Sequence, residues 1–325
     1  MRTRVLTAAC AGLLSLAAAV SGCGSDGAAT TATQAQSDPF LAVRLKEQQA
    51  RNRKLQREIE RLQREQRRQE DQGPDAIGGT GGAGADSATR ASFDRLASGM
   101  SGEVGVAYGP PGTEQRVTSL GSLTGGVAWS TAKVPVAIAV VRANGGTAGD
   151  QAGSMRSAIT ASDNAAAESL WSSLGSADQA GARTQAVLSD TGDVQTRVQT
   201  QRVRSGFTPF GQTEWSLTNA EKFAAALPCL QGAAPVLDLM GQVTPDQSWG
   251  LGQAGSNQRF KGGWGPDANG KYLVRQLGLI DTPRGTVAAA IAAKPSDGSL
   301  EMGAAQLTQL AEWVAKHARG GTPNC

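Results

Sequence analysis

Changes in the period of hydrophobic positions divide the chain into segments. Behind Arg2 and Arg4, residues Val5 to Val20 form an apolar run too short to cross a bilayer comfortably, the pattern of an export signal over residues 1–22. Residues 23–40 are rich in Ala, Thr, Gln and Ser and have no apolar period, which predicts an unstructured tether. From Leu41 the positions Leu41, Leu45, Gln48, Asn52, Leu55, Ile59, Leu62, Gln66 and Gln69 recur at alternating four and three residues, the seam of a helical stalk over 41–72. Asn52 on that seam suits a parallel homodimer. The other Gln positions, and flanks richer in Arg and Gln than in complementary ion pairs, suit a solvated single helix equally well. Gly73-Pro74 stops the stalk, and the glycines from Gly78 to Gly84 make residues 73–88 a flexible linker.

Beyond the linker the period shortens to two. Gly102–Tyr108 reads as a strand, Gly109-Pro110-Pro111-Gly112 as a turn and Gln115–Leu120 as the hairpin partner. A helical stretch follows from Ser130 to about Met240. Three more strands are predicted at Gln258–Trp264, Lys271–Ile280 and Thr286–Ala293, with a closing helix over Glu301–Ala318. This order predicts an α/β (α+β) domain over 89–325, with a five-stranded antiparallel sheet flanked by helices and long enough to bury a full core.

Charge and cysteine content refine that picture. The net charge of +3 is small and dispersed, and no basic stripe is interleaved with aromatics, so nucleic acid is excluded as the natural partner. Between Leu41 and Asp71, ten Lys or Arg face six Asp or Glu, an excess that favours an anionic membrane surface. The export run ends in Val20-Ser21-Gly22-Cys23, which resembles a bacterial lipobox. Cys23 would then carry the lipid, placing the protein outside the cytoplasm and anchored to the cell membrane; an uncleaved anchor or an ordinary secretion signal is the alternative. Cys10 is lost with the signal, leaving Cys229 and Cys325 to pair in an oxidising compartment or to remain free thiols. With one histidine, His317, near the end of the last helix, a Ser-His-Asp hydrolase and a zinc hydrolase are both disfavoured. No metal or cofactor is implied.

Three short motifs carry chemistry. Of eight lysines only Lys133 has a serine three residues ahead, Ser130, and residues three apart share a helix face. The segment Ser130–Val141 reads as a serine at the start of a buried apolar helix, with Pro135 in its first turn. A buried lysine loses its proton readily and acts as a base. Ser162-Asp163-Asn164 precedes a strong helix former and by itself is a capping cluster. Lys261-Gly262-Gly263-Trp264 ends a predicted edge strand, where glycines let a ligand's backbone approach.

Together and in this order the three motifs resemble the S-x-x-K, S-D-N and K-T-G of the penicillin-recognising serine enzymes, the class A β-lactamases and D-Ala-D-Ala transpeptidases, over roughly residues 88 to 320. The resemblance implies Ser130 as nucleophile, Lys133 as its proton acceptor and Ser162 as a relay to the leaving nitrogen. It further implies that Asn164 holds the acyl amide, that Lys261 attracts the substrate carboxylate, that Gly263 gives the substrate room, and that the N–H groups of Ser130 and Trp264 receive an oxyanion. The substrate would be a β-lactam or a cell-wall peptide. Three departures stand out. Gly262 replaces the hydroxyl of the third motif. The Ser130-to-Ser162 interval is about half that of a class A enzyme, which reduces the helical lobe. No E-x-x-L-N string precedes Ser216; the acids in the interval are Glu168, Asp178, Asp190, Asp193 and Glu214, and Thr196–Arg204 is basic. Slow deacylation is expected. A catalytically degenerate lipoprotein that binds peptidoglycan or a protein is the competing reading, and a D,D-carboxypeptidase a third.

Overall fold

The computed structural model describes residues 85–113 and 116–325. The expected signal peptide, tether and stalk, Cys23 as the expected lipidation site, and most of the expected linker lie outside these residues. The linker ends before residue 88, because Asp86 accepts a hydrogen bond from Thr89 N and starts helix α1 (Ser87–Ser98). This helix was not expected from the sequence. Its apolar stripe is thin, and it is secured by tertiary contacts: Phe93 sets its ring 5.2 Å from that of Trp313, edge on.

β1 (Glu103–Gly109) turns back into β2 (Thr118–Gly121), followed by β3 (Gly125–Val127). The helical region comprises α2 (Lys133–Ala143), α3 (Ala152–Thr160), α4 (Asn164–Ser173) and α5 (Ala177–Ser189); after a long loop come β4 (Glu214–Ser216), α6 (Leu217–Ala226) and α7 (Ala234–Met240). β5 (Ser256–Pro266), β6 (Tyr272–Thr282), β7 (Gly285–Lys294) and α8 (Leu300–His317) complete the chain. The main sheet is antiparallel and five-stranded, in the order β2-β1-β7-β6-β5, so β5 is an edge. Its two faces bury separate cores. Val136, Ile138, Leu170 and Phe223 fill the side under α2 to α7; Phe93, Val106, Ile291, Leu310 and Trp313 fill the side under α1 and α8. Alanine is a weak strand former, yet β7 carries five between Ala288 and Ala293. Small side chains let α6 and α8 approach this central strand, and burial outweighs propensity.

The second sheet, β3 with β4, pairs Gly126 with Trp215 and was not expected either. Arg275 of β6 clasps it to the main sheet: its guanidinium, 1% exposed, donates to Gly126 O at 2.8 Å and Trp215 O at 2.9 Å and lies over the Trp215 ring. Burial pulls its pKa down to about 10, which leaves it charged at neutral pH. The loop before β4 is fastened by Asp193. This fully buried carboxylate accepts from Thr196 N (2.9 Å), Gln195 N (3.3 Å), Trp215 Nε1 (3.0 Å) and Asn219 Nδ2 (2.8 Å). His317 stacks on Trp313, its Nδ1 2.9 Å from Trp313 O and its Nε2 3.1 Å from Ser92 Oγ. A carbonyl only accepts, so Nδ1 carries the proton and Nε2 takes the Ser92 hydroxyl; the histidine joins α8 to α1. Cys229 and Cys325 form a disulfide that closes 96 residues, and Gly321 pairs with Thr286 to bring the tail alongside β7.

Two stability outcomes are expected. Cross-linking across so long a loop restricts the unfolded chain by about 4 to 5 kcal/mol of entropy, so Cys229→Ser with Cys325→Ser should cost about 2 to 4 kcal/mol in urea unfolding. Asp193→Ala removes four bonds from a dry site and should cost about 3 kcal/mol. Amide exchange should then quicken across residues 194–213 before it does in β5 to β7; a loss below about 0.5 kcal/mol would show that Asp193 does not fasten the loop.

Candidate active site

Ser130 does not cap a helix. It lies in a 3₁₀ turn, Trp129–Ala132, immediately ahead of α2, which begins at Lys133 without a side-chain cap. Trp129 has φ of +50°, a left-handed conformation costly for a bulky residue and held here by a buried, tightly packed indole. α2 is apolar and buried from Val134 to Val141, which draws the Lys133 side chain, 1% exposed, out of water as well.

The Ser162-Asp163-Asn164 turn brings the second group. Asp163 caps α4 by accepting from Ala166 N at 2.7 Å, so the aspartate of this motif is structural. Ser162 takes φ of +58°, and Lys133 Nζ donates to its carbonyl at 2.5 Å, to Asn164 Oδ1 at 2.8 Å and to Ser162 Oγ at 3.4 Å. From β5 the fully buried Lys261 reaches the same hydroxyl at 2.9 Å and its neighbouring carbonyl, Gly262 O, at 3.0 Å. Two amines thus converge on one serine oxygen. Burial lowers the Lys133 pKa to about 7, opposed by the Asp163 charge. Lys261 is pushed well below its ordinary value, first by burial and then by the proximity of Lys133. Amines this close titrate as a pair. Protonated Lys133 finds three acceptors; neutral Lys133 has a lone pair that takes a hydroxyl proton, and Ser162 can donate one because Lys261 already supplies its acceptor side.

β5 closes on the nucleophile turn. A Cβ on Gly263 would come within 2.9 Å of the amide nitrogens of Ser130 and Thr131 and 2.8 Å from Ala128 O; one on Gly265 would strike the Trp129 ring at 2.7 Å. Any side chain there would pry the strand from the turn. The opposite face explains Gly262: its Cβ would lie 3.2 Å from Trp249, whose ring meets Trp264 edge on at 5.8 Å. A side chain in place of Gly262 would need the Trp249 indole to give way by a few tenths of an ångström. Ser130 opens on a cleft of ≈ 210 Å³ bounded by Asn164 of α4, Phe207 and Thr208 of the loop, and Trp264 with Tyr272 of the sheet. Of the seven proposed residues, Ser130, Asn164 and Trp264 line this cleft; Lys133, Ser162 and Lys261 connect to it through the Lys133 bond to Asn164, and Gly263, expected to make room for substrate, packs instead against the Ser130 turn.

The acids of the interval lie elsewhere. Glu168 pairs with Arg202 at 2.8 Å, Asp190 with Arg142 at 2.7 Å, and Asp193 is the loop fastener. Glu214 lies on β4, and Ser216, not Glu214, caps α6 by accepting from Asn219 N. No carboxylate is among the described residues lining the cleft. Among the described residues Lys133 makes no hydrogen bond to Ser130. The sequence had not marked Phe207, Thr208 and Tyr272 as cleft residues; the aromatic and hydroxyl character of Phe207-Thr208 within the basic loop was the only hint.

No protein-family model matches the chain, and no curated protein is similar to it. Solved structures are similar in fold. A class A β-lactamase from Bacteroides cellulosilyticus is 15% identical with a TM-score of 0.58, covering 70% of this chain and 96% of its own. A class A β-lactamase from Mycobacterium abscessus is 14% identical with a TM-score of 0.55, covering 70% and 98%. A variant of the reconstructed class A β-lactamase ancestor of Gram-negative bacteria is 18% identical with a TM-score of 0.53, covering 70% and 96%. The described domain has the class A β-lactamase fold.

Proposed function

We propose that this domain is a serine acyl-transfer hydrolase acting on β-lactams or D-Ala-D-Ala-like peptides, exported and held at the outer face of the cell membrane by a lipid on Cys23. The observation that carries the reading is the convergence of two buried lysines on Ser162 Oγ, with Lys133 also bonded to Asn164, which lines the Ser130 cleft. Neutral Lys133 takes the Ser130 proton as Oγ attacks the carbonyl carbon. The carbonyl electrons move to oxygen, which faces the N–H groups of Ser130 and Trp264. Collapse breaks the C–N bond, and Ser162 passes a proton from the lysine pair to the leaving nitrogen. The product is an ester on Ser130. Its hydrolysis finds no carboxylate among the described cleft residues to activate water, so the ester persists.

A second reading is favoured by one specific feature: in the resting arrangement Lys133 is bonded to Ser162 and Asn164 and not to Ser130. In it the fold serves a catalytically degenerate lipoprotein that binds peptidoglycan or a protein. A D,D-carboxypeptidase fits less well, since peptide turnover needs prompt deacylation.

Intact-protein mass spectrometry after exposure to penicillins and cephalosporins separates these. A long-lived adduct that Ser130→Ala abolishes is the expected result; intact drug with unmodified protein would favour the binding lipoprotein. The pH profile has a fixed sign. With Lys133 near 7, the neutral amine increases as pH rises, so acylation should climb about tenfold per pH unit below 7 and level off above it. Lys133→Gln should abolish that rise, and a flat wild-type profile would remove Lys133 as the base.

A further inference from the structure

The basic loop that stands where an acidic one was expected builds one wall of the cleft. Arg202 Nη2 pairs with Glu168 of α4 at 2.8 Å, and its Nη1 donates to Phe207 O at 2.6 Å. Arg204 Nη1 donates to Pro266 O, at the end of β5, at 2.6 Å. The segment is thus tied to both sides of the cleft. Gln212, 7% exposed, braces it from beneath, accepting from Arg204 N and donating to Thr208 O. The Arg204 guanidinium lies 4.6 Å from the centre of the Phe207 ring, and that ring lies 5.1 Å from the Trp129 ring. Arg204 lines the neighbouring groove and not the Ser130 cleft, so it holds Phe207 from behind while Phe207 faces the cleft.

From this arrangement we infer that Arg204 is a positioning residue that sets substrate size: by clamping Phe207 across the cleft it restricts the site to acyl donors bearing one planar aromatic ring. The inference rests on the Ser130 cleft being a substrate site. Size and lining define the class. A closed cavity of about 150 Å³ holds a benzene ring; this cleft of ≈ 210 Å³ is open on one side, so it is the spacing of its aromatic walls around one ring, and not its volume alone, that would set the size it accepts. Phe207, Trp264 and Tyr272 offer aromatic surfaces to that ring, while Asn164 beside them offers an amide to the linking group. A fused double ring needs the Phe207 wall to retreat. The Arg204 bond to Pro266 O and its stacking on Phe207 oppose that movement.

The test is binding to the full chain, read by tryptophan fluorescence since Trp129 and Trp264 border the cleft. The probes are phenylacetylglycine and 2-naphthylacetylglycine, neither of which acylates. The wild type should bind the phenyl probe about tenfold or more tighter than the naphthyl probe, the scale on which apolar pockets discriminate size. Arg204→Ala, with its melting temperature checked, should bring the two within about threefold, chiefly by improving naphthyl binding, which loosened folding alone does not do. Arg204→Lys keeps the charge and one bond but not the planar stack, and should fall between. An unchanged preference in folded Arg204→Ala, equal affinities in the wild type, or no binding of either probe overturns the inference. Because the readout needs no acylation, ring selectivity with intact drug and no Ser130 adduct would sink only the enzyme reading. An adduct without ring selectivity would sink only this one.

Discussion

The site depends on two amines being held out of water around one hydroxyl. Lys133 and Lys261 come from elements far apart in the chain, yet both end on Ser162 Oγ, and both are buried. Two ammonium groups cannot share such a place without a large electrostatic cost, so burial itself keeps the pair short of protons near neutral pH. The scaffold around them enforces this. An apolar α2 leaves Lys133 no path to solvent, and a left-handed Ser162 turns its carbonyl toward Lys133 while its hydroxyl stays between the amines. Removing either lysine would take a hydrogen bond from the partly buried Ser162 hydroxyl, so chemical and structural roles share the same atoms.

The edge strand is subject to a steric version of the same demand. β5 must carry Lys261 inward and press against the turn that holds Ser130, and the backbone contacts at Gly263 leave no volume for a Cβ. Gly262 faces the other side and answers to the Trp249–Trp264 pair. Successive glycines thus serve opposite faces for different reasons. A side chain at 262 would press on the indoles, while Gly263 is held to glycine by the nucleophile turn.

What the sequence made legible was what is local. Ser130 and Lys133 lie one helical turn apart, the Asp163 cap bonds within three residues, and the long strands β5 to β7 carry their own apolar pattern; each is fixed by neighbours in sequence. The parts that were not legible depend on partners brought from a distance. β3 and β4 are three residues each and pair only because Arg275 and Asp193 gather their backbone and side chains from separate elements. α1 needs Trp313 and His317 of the last helix. Ser130 itself was misplaced by one turn, because the left-handed Trp129 that bends the chain ahead of α2 has no sequence signature such as glycine would give.

The loop between α5 and β4 shows how one segment can exchange one task for another. Its acid Asp193 is consumed by four hydrogen bonds, and its Arg202 neutralises Glu168 of α4, which follows Asn164 by one turn. The arginines do not replace a general base, since a guanidinium stays protonated and only donates. They supply geometry. By bonding to α4 on one side and β5 on the other they turn the loop into a wall of the cleft, and in the proposed reaction that wall would limit the water reaching an ester on Ser130. On the proposed reading, slow turnover and narrow selectivity would share one structural origin: both would follow from basic side chains standing where an acidic one would have activated water.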